Sequence, residues 1–300
     1  MKLGTLLLRS MLLLGLLAAG AQWWLLREAE RSLQRIAYQW QGYGTLRYER
    51  LWFNLWGTGV LYDVSFHPNG LMQGMLGTPL DYRISVGEVR IDDLDLGDDR
   101  SLQRVRLRLI DLDLPMSDGY RLRGRNAPPS LATLGYSSLR LQAALDVRAL
   151  ADAGLLLVGG DIGGDDSAYL RFDLQLDATP SQLARAPDQI GLRKLRLDFE
   201  DRGLMQRYQD RRAAELQVDR EQVGEAIVRL LDQRARRERW RWDAGSAAAL
   251  RSFVRAPGAC RITLDPPDTV LLRNLNLYSV GDWPPLLGFR FERLPDAAPR

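Results

Sequence analysis

The sequence predicts a mainly β fold with a helical insert (α+β), in which an N-terminal transmembrane helix precedes a long-stranded, curved, groove-like antiparallel sheet. Three features lead to this prediction: a repeated alternation of apolar and polar residues, shifts in the phase of that alternation, and an uncharged stretch near the N-terminus. Two helices are expected in the C-terminal half of the chain.

The strands are identified by alternation with a period of two residues, because successive side chains of a strand point to opposite faces of the sheet. In the first clear run, apolar side chains occupy every second position at Val60, Tyr62, Val64 and Phe66. Similar runs occupy 80–96, 105–114, 139–147, 170–176 and 195–199, and further strands are expected at 261–264, 270–277 and 288–293. Strands with one apolar, buried face and one polar, solvent-exposed face are typical of an antiparallel sheet.

The alternation changes phase within two of the long runs. In 105–114 the apolar positions shift from Leu109 to Ile110, Leu112 and Leu114, and a comparable shift occurs within 80–96. A slip of one residue would expose the whole apolar set, so each shift requires a bulge or a bend. Long strands with bulges predict a strongly curved sheet.

The helices of the C-terminal half are expected at 219–239 and 246–255. In the first of them Val223, Ile227, Leu230 and Leu231 form one apolar stripe, and Asp219 with Gln222 is a plausible capping pair. Ser246 is expected to cap the second helix. The Pro- and Gly-rich stretches 124–135 and 158–167 are interpreted as loops.

These elements define three segments. Residues 1–41 form the N-terminal anchor or signal segment with its continuing helix, and 42–294 form a single periplasmic β-rich domain with a helical insert near 204–256. Residues 295–300 are expected to be a disordered tail.

The location of the protein is predicted from residues 10–26, which carry no charged side chain and follow Lys2 and Arg9. A helix of that length spans about 25 Å, near the lower limit for a hydrocarbon core. An uncleaved anchor and a cleaved signal both fit, since Ala19-Gly20-Ala21 has the small-residue pattern of a signal peptidase site. A buried core helix is the third interpretation. The charges before the stretch favour a single-pass inner-membrane protein with its body in the periplasm.

Composition excludes several classes of site. The chain has 41 basic and 38 acidic residues, a balance that does not indicate nucleic acid as a partner. One cysteine and one histidine exclude an intramolecular disulfide, a zinc site built on paired thiolates and a site with two histidine ligands. The acidic residues of 92–99 and the glycine-aspartate stretch 159–166 lack the spacing of calcium loops. We therefore predict no catalytic, metal or cofactor site, and no enzymatic activity.

Two groups of residues are candidates for contact with other molecules. A basic cluster interleaved with aromatic residues could contact anionic lipid or an acidic partner, although such a charge run is also typical of a solvated helix face. Its members are Arg234, Arg236, Arg237, Arg239, Trp240 and Arg241. An apolar groove is expected to be lined by Trp52, Phe53, Trp56, Val60, Tyr62 and Val64.

The layout of the chain resembles that of AsmA-like envelope proteins and the related YdgA-type periplasmic proteins. The segments that carry the resemblance are 48–51 (YERL), 59–66 (GVLYDVSF) and 195–204 (LRLDFEDRGL), followed by a helical insert and Pro257-Gly258. The resemblance covers the architecture of most of the chain and transfers no catalytic residue. It implies a sheet curled into an open groove and a role in envelope homeostasis.

The expected function is therefore that of a non-enzymatic periplasmic protein whose sheet binds or shields lipid or another apolar ligand. The inner membrane is its expected partner, with lipid and other envelope proteins as further candidates. The alternative is a periplasmic scaffold or assembly factor that acts through protein contacts and fills the apolar face of the sheet with its own side chains.

Overall fold

The computed structural model describes residues 26–27, 29–31, 33–35, 37–38, 41–54, 58–70, 73, 82–96, 102–116, 131–179, 182 and 189–295. They form one open, curved antiparallel sheet of 12 strands with a few helices, which confirms the predicted sheet. The principal path through the sheet runs β1-β3-β4-β5-β6-β7-β8-β9-β10-β12, with β2 paired to β3 and β11 to β9.

The strands are mostly long and follow one another as a meander. Their bounds are β1 Gly44–Arg47, β2 Arg50–Phe53, β3 Gly59–Pro68, β4 Ile84–Leu96, β5 Leu102–Pro115, β6 Ser138–Leu150, β7 Leu155–Gly163, β8 Ala168–Asp177, β9 Gly191–Asp201, β10 Ala259–Leu264, β11 Val270–Leu271 and β12 Phe289–Arg293. The helices are α1 Leu204–Leu216, α2 Arg220–Arg237, α3 Ala244–Arg255 and the short α4 Trp283–Leu286. Residues 26–38 include helical positions that we call the N-terminal helical segment.

Changes of phase are present as irregularities of the backbone in both of the runs where they were predicted. Asp93 in β4 and Asp111 in β5 have positive φ, 53° and 55°. Asp63 in β3 also has a positive φ of 50°, although the alternation there predicted no change. The register between β5 and β6 shifts by one residue across Asp111, as in a β-bulge. Gly87 of β4 lies against Asp111, since a Cβ added there would be 3.2 Å from the Asp111 Cβ. We call the line Asp63, Gly87 and Asp111 the crease of the sheet.

The apolar face of the sheet is covered in three places. The N-terminal helical segment covers β3–β5, where Leu33 packs on a cluster that contains Leu61 and Val64. The chain between β10 and β12 covers one end of β6–β9, where Trp283 packs on a second cluster around Leu156. Helix α3 covers β9, β10 and β12 through a third cluster of Phe253, Cys260 and Phe291.

The helical insert contains three long helices where two were expected. Helix α1 was missed because the side chain it buries is a glutamine: Gln209 is 1% exposed and donates to the Val254 carbonyl oxygen across 2.7 Å. The predicted stripe of α2 is wrong at Leu230, which is 65% exposed, whereas Val223 and Val228 are buried.

The capping predictions for α2 and α3 also need correction. Asp219 is the N-cap of α2 but makes no side-chain capping bond, and α3 is capped by Asp243, whose carboxylate accepts from the Ser246 N–H.

Two predicted boundaries differ from the structure. Strand β7 takes up most of the stretch 158–167 that was interpreted as a loop, and only residues 164–167 turn. The strand expected at 270–277 ends at Leu271, and Leu272–Leu277 form a 3-10 helix.

The predicted membrane anchor and the expected tail lie almost wholly outside the described residues, which begin at Leu26 and end at Pro295. Within the part of the chain that the structure describes, no helix has the length and apolar character needed to cross a membrane.

Candidate functional site

The candidate site is a row of apolar side chains that crosses the middle of the sheet on one face. Strand registers place the members of this row opposite one another on adjacent strands. We call this set the central row; it consists of Ile91, Leu107, Leu145, Gly160, Phe172 and Leu197, from β4 to β9 in order. With about 4.8 Å between neighbouring strands, the row is about 24 Å long.

The central row is apolar but only half-buried. All six of its residues are of intermediate exposure, and none of them belongs to the three clusters that the described elements cover. Gly160 makes room for a neighbour, because a Cβ added there would approach the ring of Phe172 to 2.9 Å. The row therefore lies between the covered patches as a shallow apolar strip.

The opposite face of β4–β6 is a network of ion pairs. Asp92 accepts from Arg108, and Asp146 pairs with Arg106 at 3.2 Å and with Arg148 at 2.9 Å. The hydrogen bond from Arg148, together with that from Arg106, lowers the pKa of Asp146 to about 2 against the opposing effect of partial burial. The acidic stretch after Ile91 thus serves in part as partner for arginines of the neighbouring strands, and this face is suited to water.

The six residues expected to line an apolar groove do not share one face. Trp52, Val60 and Tyr62 line an open cleft of about 510 Å³ on the polar face, beside Arg50 and Arg90. The Arg50 guanidinium lies 4.6 Å from the centre of the Tyr62 ring.

The two remaining described members of that set lie on the apolar face. Val64 belongs to the cluster around Leu61, and Phe53 lies opposite Gly59, at one end of the line of residues that continues the central row. Two reasons account for the division. The left-handed conformation of Asp63 changes the phase of β3 and separates Val64 from Val60 and Tyr62, and ordinary alternation along β2 separates Phe53 from Trp52. Trp56 lies outside the described residues.

The basic cluster is located at the C-terminal end of α2. Arg234 binds Glu238 at 2.9 Å and lies 5.9 Å from the Trp240 ring, whose Nε1–H donates to the same carboxylate. Arg241 lies 3.6 Å from Asp282.

The three remaining arginines of the basic cluster are exposed. In the part of the chain that the structure describes, Arg236, Arg237 and Arg239 make no ion pair. Trp240 packs edge-on against Trp242, with 5.2 Å between ring centres. The cluster therefore combines guanidinium groups that make no ion pair among the described residues with a pair of rings just after α2.

Groups suited to metal or thiol chemistry are lacking in the described regions. No three His, Cys, Asp or Glu side chains there are arranged to hold a metal ion. Cys260 is 3% exposed, and burial raises the pKa of its thiol to about 11, so the thiol is inert at neutral pH.

The central row could have been found from the sequence only in part. Its members belong to runs that were identified as strands, but alternation does not say which strand residues other elements will cover. That information comes from the positions of α3, the N-terminal helical segment and the chain between β10 and β12.

Comparison with known families matches part of the chain to a family model. A family model described as "Uncharacterized protein" matches residues 148–291, a segment that extends from the end of β6 into β12 and includes the helical insert. Neither the curated proteins nor the solved structures give a match.

Proposed function

We propose that the protein is a non-enzymatic, inner-membrane-anchored periplasmic protein of the AsmA-like type, whose curved sheet holds or shields a lipid. The observation that carries this proposal is the central row, an apolar strip about 24 Å long that the described elements leave partly exposed. Its length is comparable to that of an extended acyl chain. The uncharged stretch 10–26 supports the membrane location.

The physical argument starts from the cost of exposing apolar surface. Burial of such surface is favourable by about 25 cal/mol per Å², so a strip that crosses six strands gains from being covered. A flexible hydrocarbon chain can cover a long, shallow strip without specific hydrogen bonds. The ion-paired opposite face of β4–β6 gains nothing from such a ligand, which leaves the apolar face as the binding side.

The test is native mass spectrometry of the full chain after gentle extraction, with two matched variants. Leu145→Asp places a carboxylate in the central row, and Ala144→Asp places one on the polar face one residue away. We expect lipid to co-purify with the wild type and with Ala144→Asp, and to be lost from Leu145→Asp while circular dichroism shows retained β structure. A wild type that carries no lipid would contradict the proposal.

A scaffold function is the second candidate, and the three clusters favour it because the protein's own side chains already cover much of the apolar face. In that case a protein partner would occupy the central row. Crosslinking through a photoreactive residue at Leu145 separates the two functions, since it would yield a lipid adduct in one case and a protein adduct in the other.

A further inference from the structure

The chain between β11 and β12 exposes an apolar tip. Leu277 is 80% exposed, Tyr278 46% and Val280 42%, although all three are large apolar residues. The base of this tip is fixed, because Leu275 packs on the cluster around Leu156 and its carbonyl oxygen accepts from the Trp283 indole N–H across 3.2 Å. The three side chains therefore project from a well-anchored turn.

The apolar tip lies directly beside the basic cluster. The Arg241 N–H donates to the Gly281 carbonyl oxygen across 3.0 Å. Gly281 itself fits so closely that an added Cβ would collide with the carbonyl oxygens of Glu238 and Arg239. This contact holds the chain segment that carries the tip against residues 238–241 of the basic cluster.

The basic cluster beside the tip keeps a positive charge. The nearest carboxylates are engaged, since Asp282 lies 3.6 Å from Arg241, Glu238 binds Arg234 at 2.9 Å and Asp232 binds Arg251 at 2.9 Å. Arg236, Arg237 and Arg239 remain exposed without an ion pair among the described residues. An exposed apolar tip next to a segment with exposed arginines matches the arrangement by which surface elements enter the headgroup region of an anionic bilayer.

We infer that this face, made of Leu277, Tyr278 and Val280 with Arg236, Arg237 and Arg239, docks on the surface of an anionic lipid bilayer. The apolar side chains enter the boundary between headgroups and acyl chains, and the guanidinium groups bind lipid phosphates. In a protein–protein interface, the side chains that contribute most of the binding energy are buried in complementary pockets. The three side chains of the apolar tip differ in shape, and a fluid lipid layer can accommodate them without such pockets. The inference does not rest on a lipid bound along the central row.

The test measures contact between the tip and lipid in the full chain reconstituted into vesicles. Cys260 is buried, so a bimane label reacts with the thiol introduced by Leu277→Cys. Vesicles of phosphatidylethanolamine and phosphatidylglycerol with doxyl-labelled lipid should quench this label, and phosphatidylcholine vesicles should quench it much less. The control is Leu216→Cys, which is 57% exposed at the end of α1 beside the paired Arg211, Arg212 and Glu215.

Two sets of substitutions test the role of charge. Replacing Arg236, Arg237 and Arg239 by Ala should lower the ratio of docked to undocked protein about fivefold for each arginine. Replacing Arg140, Arg211 and Arg212 by Ala removes the same net charge and should leave quenching unchanged. The inference is overturned if the label at 277 is quenched no more than the label at 216 in the anionic vesicles, as would follow if the face bound an acidic protein instead. Lipid that co-purifies along the central row should be unaffected by these changes, so the two proposals can fail separately.

Discussion

The main-chain N–H of Phe291, in the last strand, donates a hydrogen bond to the Ser246 hydroxyl oxygen of α3 across 2.9 Å. Phe291 lies on β12, the edge strand at the C-terminal end of the sheet path. An open edge offers unpaired N–H and C=O groups to other chains, and covering it with a helix is one way to prevent aggregation. Ser246 therefore links α3 to the sheet, in addition to its position in the first turn of the helix.

Replacing Ser246 by Ala should destabilise the protein by about 1–3 kcal/mol, because it leaves the buried Phe291 N–H without its partner. The measurement is urea unfolding followed by circular dichroism. Ser252→Ala is the matched control on the same helix: it removes a hydrogen bond to the exposed Arg293 side chain and should cost less than about 0.5 kcal/mol. Equal effects of the two changes would show that Ser246 does not cover the edge.

The crease makes a second prediction, because Asp111 has a φ of 55°. Valine is strained in this left-handed region and glycine is not, so Asp111→Val should be less stable than Asp111→Gly by about 1–2 kcal/mol. At Asp173, which lies exposed in β8 with ordinary strand geometry, the order should reverse, since glycine weakens a strand and valine favours it. Urea unfolding of the four variants is the measurement. If the valine variant were more stable than the glycine variant at both sites, the left-handed conformation of Asp111 would not constrain the residue at the crease.

The crease also shows how far the sequence could predict the fold. The phase change in 105–114 was visible because apolar residues occur on both sides of it, and Asp111 is where the register shifts. The phase change at Asp63 was hidden. Leu61 and Val64 are both buried on one face, but Val60, Tyr62, Val64 and Phe66 look like one unbroken alternation.

Strand β7 could not be predicted from the sequence for a different reason. Its glycines suggest a loop when only local propensity is considered. In the sheet, a Cβ at Gly160 would lie 2.5 Å from the Ala144 carbonyl oxygen and 2.9 Å from the Phe172 ring. The requirement for glycine thus comes from the two neighbouring strands, which a local pattern does not reveal. The exposed Leu277 likewise ends a run that resembles a strand, and it becomes part of the apolar tip only through the contact of Gly281 with Glu238 and Arg239, just after α2.

The ion pairs of the polar face predict a dependence of stability on pH. Because the pKa of Asp146 is lowered from 3.8 to about 2, this carboxylate stabilises the folded protein above pH 3.8 and the stabilisation is lost as the pH falls through 2. Allowing for screening by solvent, the contribution is about 1 kcal/mol. Asp146→Asn should remove it at neutral pH and flatten the change between pH 4 and pH 2.

The control for this prediction is Asp152→Asn, since Asp152 is exposed in the 3-10 turn after β6. Urea unfolding at neutral pH should give this variant the stability of the wild type. If Asp146→Asn and Asp152→Asn have the same stability at neutral pH and the same acid dependence, the network around Asp146 does not stabilise the sheet.

Two positions on α2 give the last prediction, because the apolar stripe included Leu230 and not Val228, whereas the structure buries Val228 and exposes Leu230. Val228 is 4% exposed, whereas Leu230, which the apolar stripe predicted to be buried, is 65% exposed. Val228→Asp would bury a carboxylate without a partner and should cost several kcal/mol, about 3 or more, releasing α2 or unfolding the domain. Leu230→Asp should change stability by less than about 0.5 kcal/mol. Thermal unfolding of both variants is the measurement, and a loss of folding in Leu230→Asp would show that this end of α2 is covered in the native protein.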